Sequence, residues 1–459
     1  MIILGLGGTQ DDAACALLRD GHLMAAVEEE RLTRQAKPGL LPEQAIQSCL
    51  DITGTAASQV TCVALARPFA PELHGELRRR FPQARVALIE HHTAHAASAY
   101  YLSPFDRATV LTLDRKGDSR CGALWEAEGS VMQLRQEAVV PDSLGELYSH
   151  VTRLLGFTPN ADEHKVQWMS AAGEPRFKSQ FLDLFASDEI SWNHLRLDRL
   201  QNLPLDRPND VAASLQSALE EIVMRLAPAG GNLCLAGGLF FNAMLVQALE
   251  LSGRWDHVFV QPAAGNAGTA LGAAAYAWHR TYDQTQRIPF STLALGPQYQ
   301  AEEIKQVIEN CKLRFRLLST TDEVIDRAVA QLADDRIIAW MQGRMEFGPR
   351  ALGNRSILAS PLDPYASENL NLYIKHRELF RKFAASVPAE NAAEYFHVGP
   401  NARSLATVGT VHPEHREKFA SALLGSDRIR IHVVHADDNP LYHRLLTAWG
   451  AKSGLPVLY

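Results

Sequence analysis

The chain has 459 residues, 46% hydrophobic and 21% charged, with a formal net charge of −7. That length suits about two to four domains with a large core and excludes a mainly disordered protein. The acidic balance, with no basic run longer than Arg78–Arg80, argues against a nucleic-acid platform built on a basic stripe, yet leaves room for a local cationic pocket that takes a phosphorylated small molecule.

The six cysteines (Cys15, Cys49, Cys62, Cys121, Cys234, Cys311) form no CxxC pair, so zinc ribbons and a disulfide framework are not expected. The N-terminus turns polar at Thr9-Gln10-Asp11-Asp12 without a basic leader, and no apolar run reaches the ~18–20 residues of a membrane helix. A cytoplasmic protein without membrane or nucleic-acid partners is the expectation.

In chain order, Ile2–Leu6, Ala13–Leu18 and Leu23–Val27 read as a three-stranded meander with turns at Gly7-Gly8 and Asp20-Gly21. A helix is expected over Pro42–Thr53, strands over Val60–Ala66 and Arg85–Ile89, and a helix over His91–Tyr101. A second round follows: strands Thr109–Leu113 and Gly122–Trp125, helices Leu144–Leu155 and Asp210–Leu226, strand Asn232–Ala236, helix Asn242–Leu251, strand His257–Gln261 and helix Ala270–His279. Two rounds of meander and helix predict a duplicated α/β fold with two lobes facing a cleft. The Pro-bearing stretch 286–300 reads as a linker. Beyond it a second α/β module is expected, with helices Ala301–Asn310 and Asp322–Ala333 and strands Arg314–Leu318 and Ile337–Met341.

His91 and His95 are four apart, so on a helix they share a face and can grip one metal ion; the same spacing also suits two histidines lining a polar cleft. Asp114, ending an apolar strand, would complete the shell or cap a turn. Gly265-Asn266-Ala267-Gly268, just before a helix, is either an anion nest or a tight turn. Gly237-Gly238 closes a buried strand, for nucleotide approach or for helix packing. In the second module, Gly343–Arg355 (GRMEFGPRALGNR) packs three arginines and three glycines into one stretch, and Lys375, His376, Arg377 and Arg381 follow. Guanidinium forks match phosphate bidentately, so this stretch reads as a phosphate pocket; the alternative is a surface ion-pair network.

The segments HHTAHAASAYYLSPF (91–105), LGELYSHVTRLLGF (144–157), NLCLAGGLFFN (232–242), FVQPAAGNAGTALGAA (259–274) and GRMEFGPRALGNRSILASP (343–361) together resemble the carbamoyl-adenylate-dependent O-carbamoyltransferases of antibiotic and nodulation-factor biosynthesis. The resemblance implies an N-terminal actin/sugar-kinase/Hsp70-like two-lobed domain (1–285), like the enzyme that makes threonylcarbamoyladenosine, and a C-terminal α/β adenylate-forming-type domain (301–459), here shortened. It implies that carbamoyl phosphate and ATP with magnesium give carbamoyl adenylate, and that the carbamoyl group then passes to a hydroxyl of a secondary metabolite. On this reading a transition metal such as Fe(II) sits at His91, His95, Asp114 and Asn266. Asp11 and Asp12 are the catalytic candidates. Donor and nucleotide would be held by Lys165, Gly237, Gly238, Asn242, Gly265, Gly268, Arg344, Gly348, Arg350, Asn354, Arg355, Lys375, Arg377 and His435.

The chain departs from the family pattern at Asp11, where the family has histidine, and at Asn266, where it has aspartate. It also lacks an arginine-bearing stretch after His435-Ala436-Asp437 and an Asn-Thr-Ser-Phe-Asn segment that the family carries beyond the position of Tyr459. A carboxylate is a weaker base than imidazole at neutral pH, and an amide oxygen is a poorer ligand than a carboxylate. Two other readings therefore stand beside the first: altered acyl- or amide-transfer chemistry, and a noncatalytic subunit partnering an intact homologue. The assembly expected is a homodimer, or a hetero-oligomer with such a homologue.

Overall fold

The computed structural model describes residues 1–36, 39–184, 195–197, 200 and 203–459. They form two compact units, Met1–Phe290 and Ser291–Tyr459.

The first unit is built on two five-stranded sheets. Strands β1 (Ile2–Gly7), β2 (Ala14–Arg19) and β3 (His22–Glu28) make an antiparallel meander, and β4 (Cys62–Ala66) and β5 (Arg85–Ile89) add in parallel, in the order β3-β2-β1-β4-β5. Helices α1 (Glu29–Thr33), α2 (Glu43–Thr53) and α3 (Pro71–Arg80) lie between these strands in the chain. Helix α4 (His91–Tyr100) leads into β6 (Arg107–Gly117), β7 (Arg120–Glu128) and β8 (Val131–Val139), a second meander. After α5 (Leu144–Leu154), α6 (Glu163–Ser170), α7 (Lys178–Leu182) and α8 (Pro208–Leu226), β9 (Asn232–Ala236), α9 (Ala243–Leu251) and β10 (His257–Val260) complete the second sheet, in the order β10-β9-β6-β7-β8. The two orders are the same order. The duplication expected from the sequence is therefore present, and the unit is a two-lobed α/β fold of the actin/sugar-kinase/Hsp70 type.

Small residues determine how the lobes join. Helix α10 (Thr269–Tyr276) packs on β1, β2 and β4, while α4 packs on β6, β7 and β9, and the two helices pack on each other between the sheets. Their sequences, TALGAAAY and HHTAHAASAY, place alanine and glycine where the backbones approach. A π-helical turn, Ala277–Thr281, continues α10. Strand β8 escaped sequence reading because it is an edge strand whose side chains are mostly exposed, and without a buried face it carries no apolar alternation.

In the second unit, α11 (Ala301–Asn310) and α12 (Thr321–Ala333) precede the antiparallel pair β11 (Ile338–Met341) and β12 (Arg355–Leu358). A four-stranded sheet, β13-β16-β15-β14, is made by β13 (Ala384–Pro388), β14 (Phe396–His397), β15 (Val408–Val411) and β16 (Arg428–Val434). The helices of this part are α13 (Ala366–Asn369), α14 (Ala389–Tyr395) and α15 (Pro440–Ser453). One core gathers Val387, Ile429, Ile431 and Phe419; another gathers Leu332, Trp340, Leu445, Leu446 and Trp449.

Two expectations need revision here. Arg314–Leu318 is not a strand: among the described residues it has no ladder partner, and Leu313, Phe315 and Leu317 are exposed. Alternation alone does not make a strand without a neighbour to take its hydrogen bonds. The expected linker 286–300 is partly structural, since Leu293 and Leu295 are buried and the backbone of Leu293, Gly296 and Pro297 bonds to that of Met345 and Phe347. Among the described residues, no helix is long and apolar enough to cross a membrane.

Candidate active site

His91 opens α4 and His95 follows one turn later, so both imidazoles leave the same face. Asp114 lies in β6, just beyond the segment that pairs with β9. Its Oδ2 stands 3.2 Å from His91 Nε2 and 3.2 Å from His95 Nε2, and the two nitrogens are 3.1 Å apart. All three side chains are buried or nearly so. The helix start is fixed by Glu90, which accepts the N–H groups of His92 and Thr93 as N-cap.

The surroundings set the protonation of this trio. His91 Nδ1 faces the Arg67 carbonyl at 3.0 Å; a carbonyl only accepts, so Nδ1 carries a proton, and Nε2 is the nitrogen turned to Asp114. Burial would raise the Asp114 carboxyl, but the hydrogen bonds from His91 and His95 outweigh it and hold it well below its ordinary value. Burial lowers His95, and the Asp114 bond does not offset this fully. His91 is raised, because the bond and charge of Asp114 exceed the opposing effect of burial. An ionised carboxylate beside a neutral imidazole is the state a metal ligand set requires. The three ligand atoms lie within 4.8 Å of one another, and Asn266 Oδ1 is buried with no hydrogen-bond partner among the described residues. Two imidazoles and a carboxylate so placed fit a borderline divalent transition metal, and Asn266 lines the same cleft.

His91 and Asp114 open onto a cleft of about 360 Å³ within the first unit. Its lining includes Asp11 and Asp12 from the β1–β2 turn, Gly238, Asn242, Gly265 and Asn266 from the second lobe, and the cations Arg67, Arg115 and Lys116. The duplicated topology brings these together, because the β1–β2 and β6–β7 turns occupy corresponding places in the two lobes. Gly117, in β6, has no room for a side chain: a Cβ there would stand 2.0 Å from the His91 ring.

Other expected residues play different parts. Gly237, at φ +104°, packs against the Leu113 carbonyl, where a Cβ would meet the oxygen at 2.1 Å. Its N–H donates to Ala264, and that of Gly268 to Gly265, so these two groups are spent on the loop and do not serve an anion nest. Asn242 lines the cleft but is chiefly the N-cap of α9, bonded to Gln216. Lys165 pairs with Asp162 at 3.1 Å and lies over Phe157, away from the cleft lining. Sequence reading passed over Glu163, His164 and Gln167, which α6 brings to the cleft wall. It also passed over Arg67, whose carbonyl orients His91. The one visible signal was that Arg67-Pro68 directly follows a buried strand.

In the second unit the arginines divide into two groups. Arg344 is bound to the carbonyls of Leu295 and Gly296, and Arg355 to those of Gln342 and Asn354. Asn354 joins the Arg344 carbonyl to Asn439. These three are struts of their loop. Gly348 bends the same loop at φ +103°. The other group is a cationic cluster. Burial pushes Arg350 down to about 10. Burial, then the neighbouring Arg381, lowers Arg377 to about 10, and Arg377 also lies over the Phe383 ring. Lys375 is lowered by burial and by Arg377 and Arg381. Arg430 is held well below its ordinary value by burial and by the guanidiniums of Arg350, Arg377 and Arg381. Sequence reading missed Arg430, although Arg428, Arg430 and His432 alternate with buried Ile429 and Ile431 along β16. His435 follows β16, its carbonyl accepting from Asp438 and Asn439.

A family model for the carbamoyltransferase N-terminus matches residues 67–275, and one for the carbamoyltransferase C-terminus matches residues 329–459. The chain belongs to the carbamoyltransferase family. It is 33% identical to nodulation protein NolNO of Sinorhizobium fredii, over 97% of this chain and 73% of that protein. To the Synechocystis protein sll1178 it is 32% identical, over 99% of this chain and 90% of the relative. The 3'-hydroxymethylcephem-O-carbamoyltransferase of Amycolatopsis lactamdurans is 30% identical, over 52% of this carbamoyltransferase-family chain and 43% of the relative.

Proposed function

We propose that this carbamoyltransferase-family protein moves a carbamoyl group from carbamoyl phosphate, through carbamoyl adenylate made with ATP and magnesium, to a hydroxyl of a secondary metabolite. The observation that carries the reading is the convergence of His91, His95 and Asp114 on one point of an open cleft. A divalent metal such as Fe(II), bound there, supplies Lewis acidity to a carbonyl oxygen.

The chain's own residues do the rest. Asp114 and His91 present their ligand atoms at the cleft floor, and Arg67 keeps the His91 proton on Nδ1. The acceptor hydroxyl attacks the carbamoyl carbon, its proton passes to a cleft carboxylate, and the bond to the adenylate phosphate breaks, releasing AMP. Asp11 and Asp12 line the cleft and are the carboxylates offered for that proton. In the second unit, Arg350, Lys375, Arg377 and Arg430 supply the positive charge that a triphosphate and a carbamoyl phosphate require.

The test is direct. Incubation with carbamoyl phosphate, ATP and magnesium is expected to release pyrophosphate, in amounts that depend on carbamoyl phosphate. No pyrophosphate and no carbamoyl adenylate under any metal condition would overturn the reading, and would leave altered transfer chemistry or a noncatalytic subunit. Co-purification with an intact homologue would then select the subunit.

A further inference from the structure

Glu346 sits in the middle of the glycine- and arginine-rich stretch and is 6% exposed. One carboxylate oxygen, Oε1, accepts three backbone N–H groups: Leu352 at 2.8 Å, Asn354 at 2.9 Å and Arg355 at 3.2 Å. A buried carboxylate is tolerated where donors of this kind replace its water. All three donors belong to the far foot of the loop that carries Arg350. The near foot is Phe347, 1% exposed, whose N–H donates to the Leu293 carbonyl at 2.8 Å. The loop is thus closed on Glu346 itself.

A lattice of amides locks the same foot. Asn439, the N-cap of α15, donates to the Leu352 carbonyl at 3.1 Å and to Asn354 Oδ1 at 2.8 Å. Gln342 donates to the Gly353 carbonyl at 2.9 Å and to Asn439 Oδ1 at 2.7 Å. Backbone held at both ends, with Gly348 supplying the bend, leaves the intervening residues little freedom. Arg350 lies in that interval, with the like charges of Arg430 nearby.

We propose that Glu346 is a positioning residue, whose carboxylate gathers the N–H groups of Leu352, Asn354 and Arg355 and so fixes the loop that presents Arg350 to a phosphate anion. This rests on the phosphate-binding reading of the second unit given above. Glu346 does not touch the anion; it acts through Arg350.

Calorimetric titration of the full chain with MgATP, and separately with inorganic pyrophosphate, tests it. The expected loss of affinity is about tenfold for Glu346→Ala, the size of one displaced charge-assisted hydrogen bond. A smaller loss is expected for Glu346→Gln, whose amide oxygen can still accept. Arg350→Ala should lose at least as much as Glu346→Ala. The double variant should be no weaker than Arg350→Ala, because a residue acting through Arg350 has nothing left to position. Multiplied losses in the double variant, or wild-type affinity in Glu346→Ala, would overturn the positioning role while leaving phosphate binding intact. A wild-type chain that binds neither probe would overturn the phosphate reading and the proposal with it. Should Glu346→Ala not fold, the cycle of Glu346→Gln with Arg350→Ala gives the same comparison.

Discussion

The two units gather charge in opposite ways. In the first, two imidazoles close on a carboxylate between them, with His91 oriented by the Arg67 carbonyl and Asp114 by the Arg115 N–H. In the second, burial and then the guanidiniums of Arg350, Arg377 and Arg381 bear on Arg430, while Glu378 stands 3.9 Å from Arg381. An attractive cluster is assembled before its ligand arrives and selects it by geometry. A repulsive one is held together by the surrounding fold and gains most when an anion enters. The first arrangement therefore suits a metal and the second suits phosphate.

The largest effect expected is on the attractive cluster. His91→Ala and His95→Ala should take anaerobically purified protein from about one transition metal per chain to none by elemental analysis. Metal retained in both variants would break the contrast, since the trio would then be an ordinary hydrogen-bonded cluster.

The second unit should show its burial cost in acid. His432 is 5% exposed, and burial, chiefly, pulls it from 6.5 to about 4. The unfolded chain binds this proton first, so His432 contributes nothing above pH 6.5 and destabilises the fold progressively as pH falls toward about 4. The total is about 3 kcal/mol. Unfolding followed across this window should lose the slope of about one proton in His432→Gln; an unchanged slope would assign the acid sensitivity elsewhere.

Asn266→Asp sharpens the contrast from the other side. Replacing the orphaned amide oxygen by a carboxylate should tighten metal binding by about tenfold. Equal affinities in a competition titration would mean that residue 266 does not face the ion. The smallest effect expected is at Ser143. Its hydroxyl caps α5 and donates to the Arg115 carbonyl, just after Asp114. Ser143→Ala should cost about 1 kcal/mol in chemical denaturation, and a cost near zero would show that the loop after Asp114 is held by other contacts.

Much of this was written in the chain. The meander-and-helix order appears twice because apolar runs and turn residues recur in the same sequence, and local periodicity records such elements well. The pairing of His91 with His95 is also local, being a property of helical pitch. Asp114 was nameable from its place at a strand end, yet its meeting with the histidines depends on β6 lying beneath α4. The roles of the arginines were not legible at all. Arg344 and Arg355 bond to carbonyls while Arg350 and Arg430 belong to the cationic cluster, although all four are the same residue type and three come from one motif. Glu346 likewise reads as one acid among arginines until three N–H groups from further along the loop close on it. Sequence alone determined which chemical groups are present and which local elements carry them, because period and turn chemistry act over a few residues. Tertiary structure alone decided which charges are paired, which are spent on the backbone and which crowd together. Those outcomes depend on distances between residues far apart in the chain, and electrostatic energy follows distance and burial.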